Sequence, residues 1–159
     1  MRNSFVKMAI ASFALVGALA APAAAQDSVG VNLTFLRDSD VTGTGFQLDA
    51  AKGLTPNVAV VGELGLNRFD GFTLTSYQAG LRFLPSVQSS VRPFVQALLG
   101  LEHCCSSNAF AYQLGGGVEF PINERVNVRA QYDFRRTRYD GEGYNANRFG
   151  VGIVLPLGN

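Results

Sequence analysis

Strict alternation of apolar and polar side chains is the feature that most constrains this chain. In residues 126–135, one apolar set alternates with one polar set: Val126, Val128, Ala130, Tyr132 and Phe134 against Asn127, Arg129, Gln131, Asp133 and Arg135. A β-strand places two such sets on opposite faces, whereas a helix mixes them. Comparable alternation occurs in seven further segments: 29–36, 45–51, 58–67, 75–84, 91–102, 110–120 and 148–157. The sequence therefore predicts an all-β fold with eight strands.

The segments between the predicted strands alternate between two kinds. Three contain proline and are expected to form tight turns: 52–57, 85–90 and 121–125. The other four are more polar, and we expect connections of roughly six residues there: 37–43, 68–73, 103–108 and 136–145. One kind of connection at each end describes an antiparallel up-and-down meander. A glycine repeat supports hairpin-sized units, with intervals of 35 residues along Gly45, Gly80, Gly115 and Gly150 and along Gly30, Gly65 and Gly100.

The first 25 residues have the layout of a secretory signal peptide. Arg2 and Lys7 form a basic start, residues 8–19 are apolar, and residues 23–25 are three alanines suited to cleavage. Removal of residues 1–25 leaves 26–159, which we expect to form one barrel domain. Because no later segment reaches the ~18 consecutive apolar residues of a membrane helix, the exported chain is either soluble or a membrane-spanning β-barrel.

Charge argues for pairing within the protein rather than for a charged partner. The formal net charge is +1 with only 16% charged residues, so we expect no nucleic-acid partner. Many of the charged residues fall on the polar faces of the predicted strands with nearly balanced signs. In a narrow barrel they would form a charge network in the lumen, consisting of Asp49, Glu63, Arg82, Glu102, Glu119, Arg129, Asp133 and Arg148.

The aromatic residues decide which face we expect to point outward. On the apolar faces they concentrate near strand ends, with Phe35, Phe46, Phe110 and Phe134 at one rim and Phe83 and Phe120 at the other. Outer-membrane barrels carry aromatic girdles at such positions and an apolar belt toward lipid. The alternative is a soluble exported barrel, lipocalin-like in architecture, whose apolar face points inward and binds a small apolar ligand.

The chain resembles the small OmpA-like, porin-family outer-membrane β-barrel proteins. Besides the signal peptide and eight strands, the resemblance is carried by the segments RPFVQALLGLE (92–102) and LGGGVEF (114–120). It implies an eight-stranded transmembrane barrel in the outer membrane of a Gram-negative-type cell, with a structural or interaction role and a lumen filled by side chains. It also implies insertion by the barrel-assembly machinery, contact with outer-membrane lipid and lipopolysaccharide, and a monomer.

Residues with catalytic or metal-binding chemistry are few. His103, with Ser106 or Ser107 and Glu119, invites comparison with the outer-membrane lipid A deacylases, but Cys105 occupies the position two after His103. A polar loop is the favoured interpretation, so we expect no enzyme and no catalytic residue. No cofactor motif is present, and two cysteines with one histidine lack the spacing and the fourth ligand of a metal site.

Two further features of the sequence are candidates for local function. Cys104 and Cys105 are adjacent, and in an oxidising compartment they could form a vicinal disulfide or pair between molecules. The segment around Arg136, Arg138 and Tyr139 combines cations and an aromatic ring at the predicted outer rim. Arginine presents forked donors that suit lipid phosphates, so these residues are candidates for lipopolysaccharide contact. Pairing with Asp140 and Glu142 on a solvated loop is the alternative.

Overall fold

The chain folds as a closed antiparallel barrel of eight strands in chain order, in which the first strand pairs with the last. The computed structural model describes residues 27–157, so the predicted signal peptide at 1–25 lies outside the described residues. Among residues 27–157 no helix is long and apolar enough to cross a membrane. The predicted up-and-down barrel is confirmed. Its strands are β1 (Ser28–Asp38), β2 (Val41–Thr55), β3 (Val58–Phe69), β4 (Phe72–Phe83), β5 (Arg92–Cys104), β6 (Ser107–Asn123), β7 (Val126–Tyr139) and β8 (Glu142–Pro156).

The four connections at the end opposite the termini, here called the distal end, are much shorter than expected. Each is a two-residue turn: Ser39–Asp40, Asp70–Gly71, Cys105–Ser106 and Asp140–Gly141. Both residues have positive φ in the third turn (54° and 70°) and in the fourth (47° and 88°), the pattern of a type I′ turn, whereas the first two turns have one such residue each, Ser39 and Gly71. The prediction of six-residue connections is wrong because the polar residues flanking these turns continue the strand ladders.

The other end of the barrel, the proximal end, carries both termini and the longest connection. Two turns are as tight as predicted, Pro56–Asn57 and Glu124–Arg125, whereas residues 84–91 form an extended loop rather than a tight turn. The hydrogen-bonded pairing of β4 with β5 ends where Phe83 pairs with Val95. Residues 84–94 therefore make no pair between these two strands. Nδ2 of Asn57 donates a 2.8 Å hydrogen bond to the carbonyl of Leu84 and fastens the start of this loop.

The strand register places the polar faces inside and the apolar faces outside. Large apolar side chains on the outer surface are extensively exposed, including Phe46 and Leu99 at 60% each. On the apolar faces of the strands, Leu99, Leu114, Tyr132, Val151 and Ile153 are exposed, and Val128 is half-buried. A soluble barrel buries its apolar face. This barrel does the opposite along most of its length.

The repeated glycines lie on the inner face and permit close crossing of neighbouring strands. A Cβ atom at Gly45 would overlap the carbonyl oxygen of Leu66, and one at Gly80 would overlap that of Ala97. Glycine inside a strand commonly marks a site of close backbone approach or sharp bending. The repeat therefore contributes to the tight curvature of a narrow barrel.

Candidate functional site: the charged lumen

The centre of the barrel is crossed by a layer of ion pairs, here called the proximal layer, formed by Asp49, Arg82, Glu119 and Arg129. Asp49 lies between the two guanidinium groups, 2.6 Å from Nη1 of Arg129 and 3.2 Å from Nη2 of Arg82. Arg129 also pairs with Glu119 at 2.8 Å. These side chains come from β2, β4, β6 and β7, so the layer joins opposite walls of the barrel.

A second group of ion pairs, the distal layer, lies nearer the distal end and contains Glu63, Glu102, Asp133, Arg135 and Arg148. Nη2 of Arg148 is 2.8 Å from Asp133 and 2.7 Å from Glu63, and Arg135 pairs with Glu102. All five side chains are almost completely buried. The structure thus brings together the eight charged residues predicted to line the lumen, and it adds Arg135 to them.

Glutamine side chains connect the charged groups within and between the two layers. Oε1 of Gln96 accepts hydrogen bonds from Arg82 (2.8 Å from Nη2), and Nε2 of Gln96 donates to Asp133 at 3.3 Å. Nε2 of Gln47 donates to Glu63 at 2.8 Å. Buried charges are tolerated only when they are paired and hydrogen-bonded. These amides supply part of that hydrogen bonding and fill the space between the pairs.

Sequence reasoning missed an apolar plug on the proximal side of the lumen. It consists of Ala51, Ala59, Val61, Leu84, Phe94 and Leu98, all buried. The ring of Phe94 packs against the proximal layer, with its centroid 4.7 Å from Cζ of Arg82 and 5.3 Å from Cζ of Arg129. The sequence signal for the plug was a local loss of alternation, most evident in the four consecutive apolar residues of 58–61.

The residues of the hydrolase alternative are not brought together. His103 is exposed at the distal end, where Nδ1 lies 2.8 Å from Oδ1 of Asn108. Glu119 is engaged by Arg129 in the proximal layer. Asn108 and Glu119 are both on β6, and at ~3.3 Å per residue their separation along the strand is about 36 Å. Within residues 27–157 there is also no cluster of His, Cys, Asp and Glu side chains suited to a metal ion.

The adjacent cysteines are free thiols in this structure, and the vicinal disulfide suggested by the sequence stays a prediction. Cys104 is the last residue of β5 and pairs with Ser107 across the hairpin, whereas Cys105 occupies the turn with a φ of 54°. The pairing of Cys104 in the ladder and the left-handed conformation of Cys105 close a two-residue hairpin. The backbone conformation of Cys104 and Cys105 is therefore that of the hairpin turn.

The candidate lipopolysaccharide contacts do not all share one face of β7. Arg136 and Arg138 alternate with the inward-facing Arg135 and therefore project from the outer face, beyond Tyr132 and Phe134. Tyr139 has the opposite parity, and its hydroxyl donates to Oγ of Ser107 at 3.1 Å. The structure therefore groups the two arginines on the membrane-facing side and separates the tyrosine from them.

Comparison with known proteins identifies the family of this barrel. Residues 11–155 match the family described as outer membrane protein beta-barrel domain. The chain belongs to this family. Outer-membrane barrels of this family are proteins of Gram-negative bacteria, and the exposed apolar belt is accordingly the lipid-facing surface. No curated protein shows a significant sequence match to the chain.

Solved structures of outer-membrane barrels share the fold at low sequence identity. Neisserial surface protein A has a TM-score of 0.67 and 14% identity, over 81% of this chain and 94% of its own. The N-terminal barrel of Pseudomonas aeruginosa OprF has a TM-score of 0.55 and 19% identity, over 82% of this chain and 100% of its own. The outer membrane enzyme PagL has a TM-score of 0.51 and 14% identity, over 83% of this chain and 100% of its own. At these identities the likeness concerns the fold alone.

Proposed function

We propose that this outer-membrane barrel has a structural or interaction role and a closed lumen, rather than the role of a diffusion pore or an enzyme. The observation that carries the proposal is the proximal layer, whose ion pairs join four strands across the lumen. The apolar plug adds a second obstruction beside it. An eight-stranded barrel has an interior just wide enough for side chains to fill, and here they do so with charged, amide and apolar groups.

Single-channel recording in planar bilayers tests the closed lumen. Wild-type protein should show no large, stable conductance. Glu119→Gln weakens the pairing with Arg129 and should raise ion leakage, while Arg125→Gln, an exposed change in a proximal turn, should not. Stable, large channels formed by the wild-type protein would refute the proposal and favour a porin-type role.

Two alternatives receive less support. The outward apolar belt is the reverse of a soluble lipocalin-like barrel, and the family membership does not favour that interpretation. A lipid A hydrolase would need His103 near Glu119, but these residues lie toward opposite ends of the barrel. The similarity to PagL extends to the fold and gives no catalytic group in this chain. The proposal includes insertion by the barrel-assembly machinery and a monomeric state.

For the interaction role, we propose lipopolysaccharide as the partner at the distal end. Export and an even number of strands would leave both termini in the periplasm, so the distal end would face outward. Arg136 and Arg138 lie just beyond the aromatic side chains of β7, and we expect this level to be that of the outer-leaflet phosphates. Nε of Arg136 is buried without a hydrogen-bond partner among the described residues. Forked guanidinium donors suit phosphate groups.

Lipopolysaccharide retention by purified, folded protein tests this contact. The double variant Arg136→Gln/Arg138→Gln should retain less lipopolysaccharide than wild type. Arg92→Gln/Arg125→Gln removes the same charge at the proximal end and should retain as much as wild type, and changes at Asp38, Asp40 or Asp70 should have little effect. Equal retention by the distal double variant and wild type would leave the distal hairpin as a solvated connection.

A further inference from the structure

A cavity of about 560 Å³ opens at the proximal end of the barrel, outside the proximal layer. Its volume lies within the range of about 300–1,000 Å³ found for small-molecule sites. The cavity is separated from the distal half of the lumen by the ion pairs that close the barrel. A ligand bound here would therefore reach the site from the periplasmic side without passing through the barrel.

One wall of the cavity is apolar. Ala51 contributes from β2, Ala59 from β3, Leu84 from the loop that follows β4, and Val154 from β8. Ala59 and Val154 are 1% and 0% exposed, so they belong to the packed interior and not to the outer surface. This wall is continuous with the apolar plug and suits a hydrocarbon group.

The polar part of the cavity contains a buried guanidinium with donor capacity left over. Arg82 lines the cavity and is 1% exposed. Its Nε and Nη2 are bonded to Gln96 and Asp49, whereas Nη1 has no hydrogen-bond partner among the residues that the structure describes. Asn127 lines the same region and donates its amide to Glu119 at 3.3 Å. A fixed N–H donor next to an apolar wall is the arrangement that orients an amphiphilic ligand.

The cavity lining contains two cations that can contact an anionic headgroup, Arg82 and Arg92, and three carboxylates. Its carboxylates at Asp27 and Glu119 are each engaged by a cation, Lys52 at 2.6 Å and Arg129 at 2.8 Å. Arg92 stands on β5, next to the strand that carries Arg82, and makes no ion pair within residues 27–157. The third carboxylate of the lining, Glu124, is exposed in the turn between β6 and β7 and makes no ion pair within residues 27–157.

We propose that the proximal cavity binds a small amphiphilic carboxylate. The headgroup contacts Arg82 and Arg92, and the hydrocarbon chain lies against the apolar wall formed by β2, β3, β8 and the loop after β4. Charge-assisted hydrogen bonds to guanidinium groups are stronger than neutral ones and supply orientation as well as affinity. This site is independent of the closed lumen proposed above, because binding needs no opening of the proximal layer.

Fluorine NMR of 8-fluorooctanoate tests the proposal with the folded protein in lipid nanodiscs. The wild-type protein should broaden the probe signal saturably beyond the effect of empty nanodiscs. Arg92→Gln should weaken binding about tenfold, the effect expected for the loss of one charge-assisted contact. Arg125→Gln, which removes a charge from a neighbouring proximal turn outside the cavity lining, should leave binding unchanged. Fluorinated octylamine should not compete.

A second variant tests the apolar wall. Ala59→Phe places a ring in the cavity and should abolish binding while the protein still shows heat-modifiable gel mobility. If this variant fails to assemble, the comparison of Arg92→Gln with Arg125→Gln decides the matter. Probe broadening equal to that of empty nanodiscs, or equal binding by wild type and Arg92→Gln, would overturn the proposal. If the protein forms no channels in planar bilayers and also does not bind 8-fluorooctanoate, the proposed site is wrong and the proposal of a closed lumen still holds.

Discussion

The inner and outer faces of the same strands have opposite chemistry. On β7, Arg129 and Asp133 point inward and are completely buried, whereas Tyr132 between them points outward and is 43% exposed. In a soluble protein the apolar face would form the core. Here lipid replaces water on the outside, so the interior is held largely by ion pairs and amide hydrogen bonds, with the apolar plug on the proximal side.

This difference makes the two faces sensitive to opposite substitutions. The lumen tolerates charge only where a partner is present, because an unpaired buried ion is costly. The outer face tolerates almost any apolar side chain, because lipid adapts to its shape, but a charge there loses its hydration. Substitutions matched in position along one strand can therefore separate the two environments.

The largest effect is expected in the proximal layer. Arg129→Met removes the cation that pairs with both Asp49 and Glu119, and should destabilise the folded barrel by about 3–5 kcal/mol, because the buried Glu119 loses its cation and Asp49 keeps only Arg82. Urea unfolding in lipid vesicles, followed by gel mobility, measures this loss. Arg125→Met in the exposed turn is the control. Similar stability of the two variants would show that the lumen charges do not depend on their pairing.

A charge on the outer face should have a slightly smaller effect. Ile153 is 44% exposed on the face of β8 that carries the apolar belt, and Ile153→Arg should cost about 2–4 kcal/mol if the residue lies near the middle of the bilayer. The same unfolding assay compares it with Ile153→Ala, which keeps the position apolar. Val128→Arg, on the neighbouring strand and paired with Ile153, repeats the test. Assembly of the arginine variants as efficient as that of the alanine variant would contradict the assigned face.

Two glycine-to-alanine substitutions, one on each face, test how much space each face leaves for an added methyl group. Gly45→Ala would drive a Cβ atom into the carbonyl of Leu66, and overpacking of this kind typically costs about 1–3 kcal/mol. Gly62 points outward and has nothing within 4 Å of its Cβ position. Gly62→Ala should therefore be neutral or stabilise by up to about 1 kcal/mol. Equal unfolding midpoints for the two variants would argue against the close strand crossing at Gly45.

The smallest effect is expected at the proximal margin, outside both faces. Asp27 precedes β1, and its hydrogen bond from Lys52 at 2.6 Å lowers the pKa of the carboxyl below its ordinary value. A lowered folded-state pKa contributes stability above the unfolded pKa of about 3.9, and that stability is lost as the pH falls through the folded pKa. Because the pair is partly exposed, Asp27→Asn should cost less than about 1 kcal/mol at pH 7.

The pH dependence provides the check on that pair. Unfolding free energies of wild type and Asp27→Asn should differ at neutral pH, begin to approach each other below about pH 4, and converge once the pH is below the lowered folded-state pKa of the carboxyl. Lys52→Met should remove the same increment. A difference that persists unchanged into acid would mean that the effect does not depend on the charge of the Asp27 carboxylate.

Much of the barrel could be predicted because alternation is a local property. The separation of Val128 from Arg129 follows from the two-residue period of a strand, whatever the rest of the chain does. The eight lumen charges were identified in this way, since each lies on the polar face of its own strand. The turn lengths were predicted less well, because polar residues near Arg136 look the same in a long loop and in a strand that extends beyond the membrane.

The sequence by itself determined the number of strands, their order and the identity of the two faces, since these depend on neighbours along the chain. Only the tertiary structure decided which charges pair, because Asp49 and Arg129 meet through barrel closure and stagger rather than through sequence proximity. It also decided that Phe94 lies in the lumen against Arg82 and that a cavity remains beneath them. Such contacts depend on strand tilt and side-chain volume around the closed barrel, which a linear pattern does not specify.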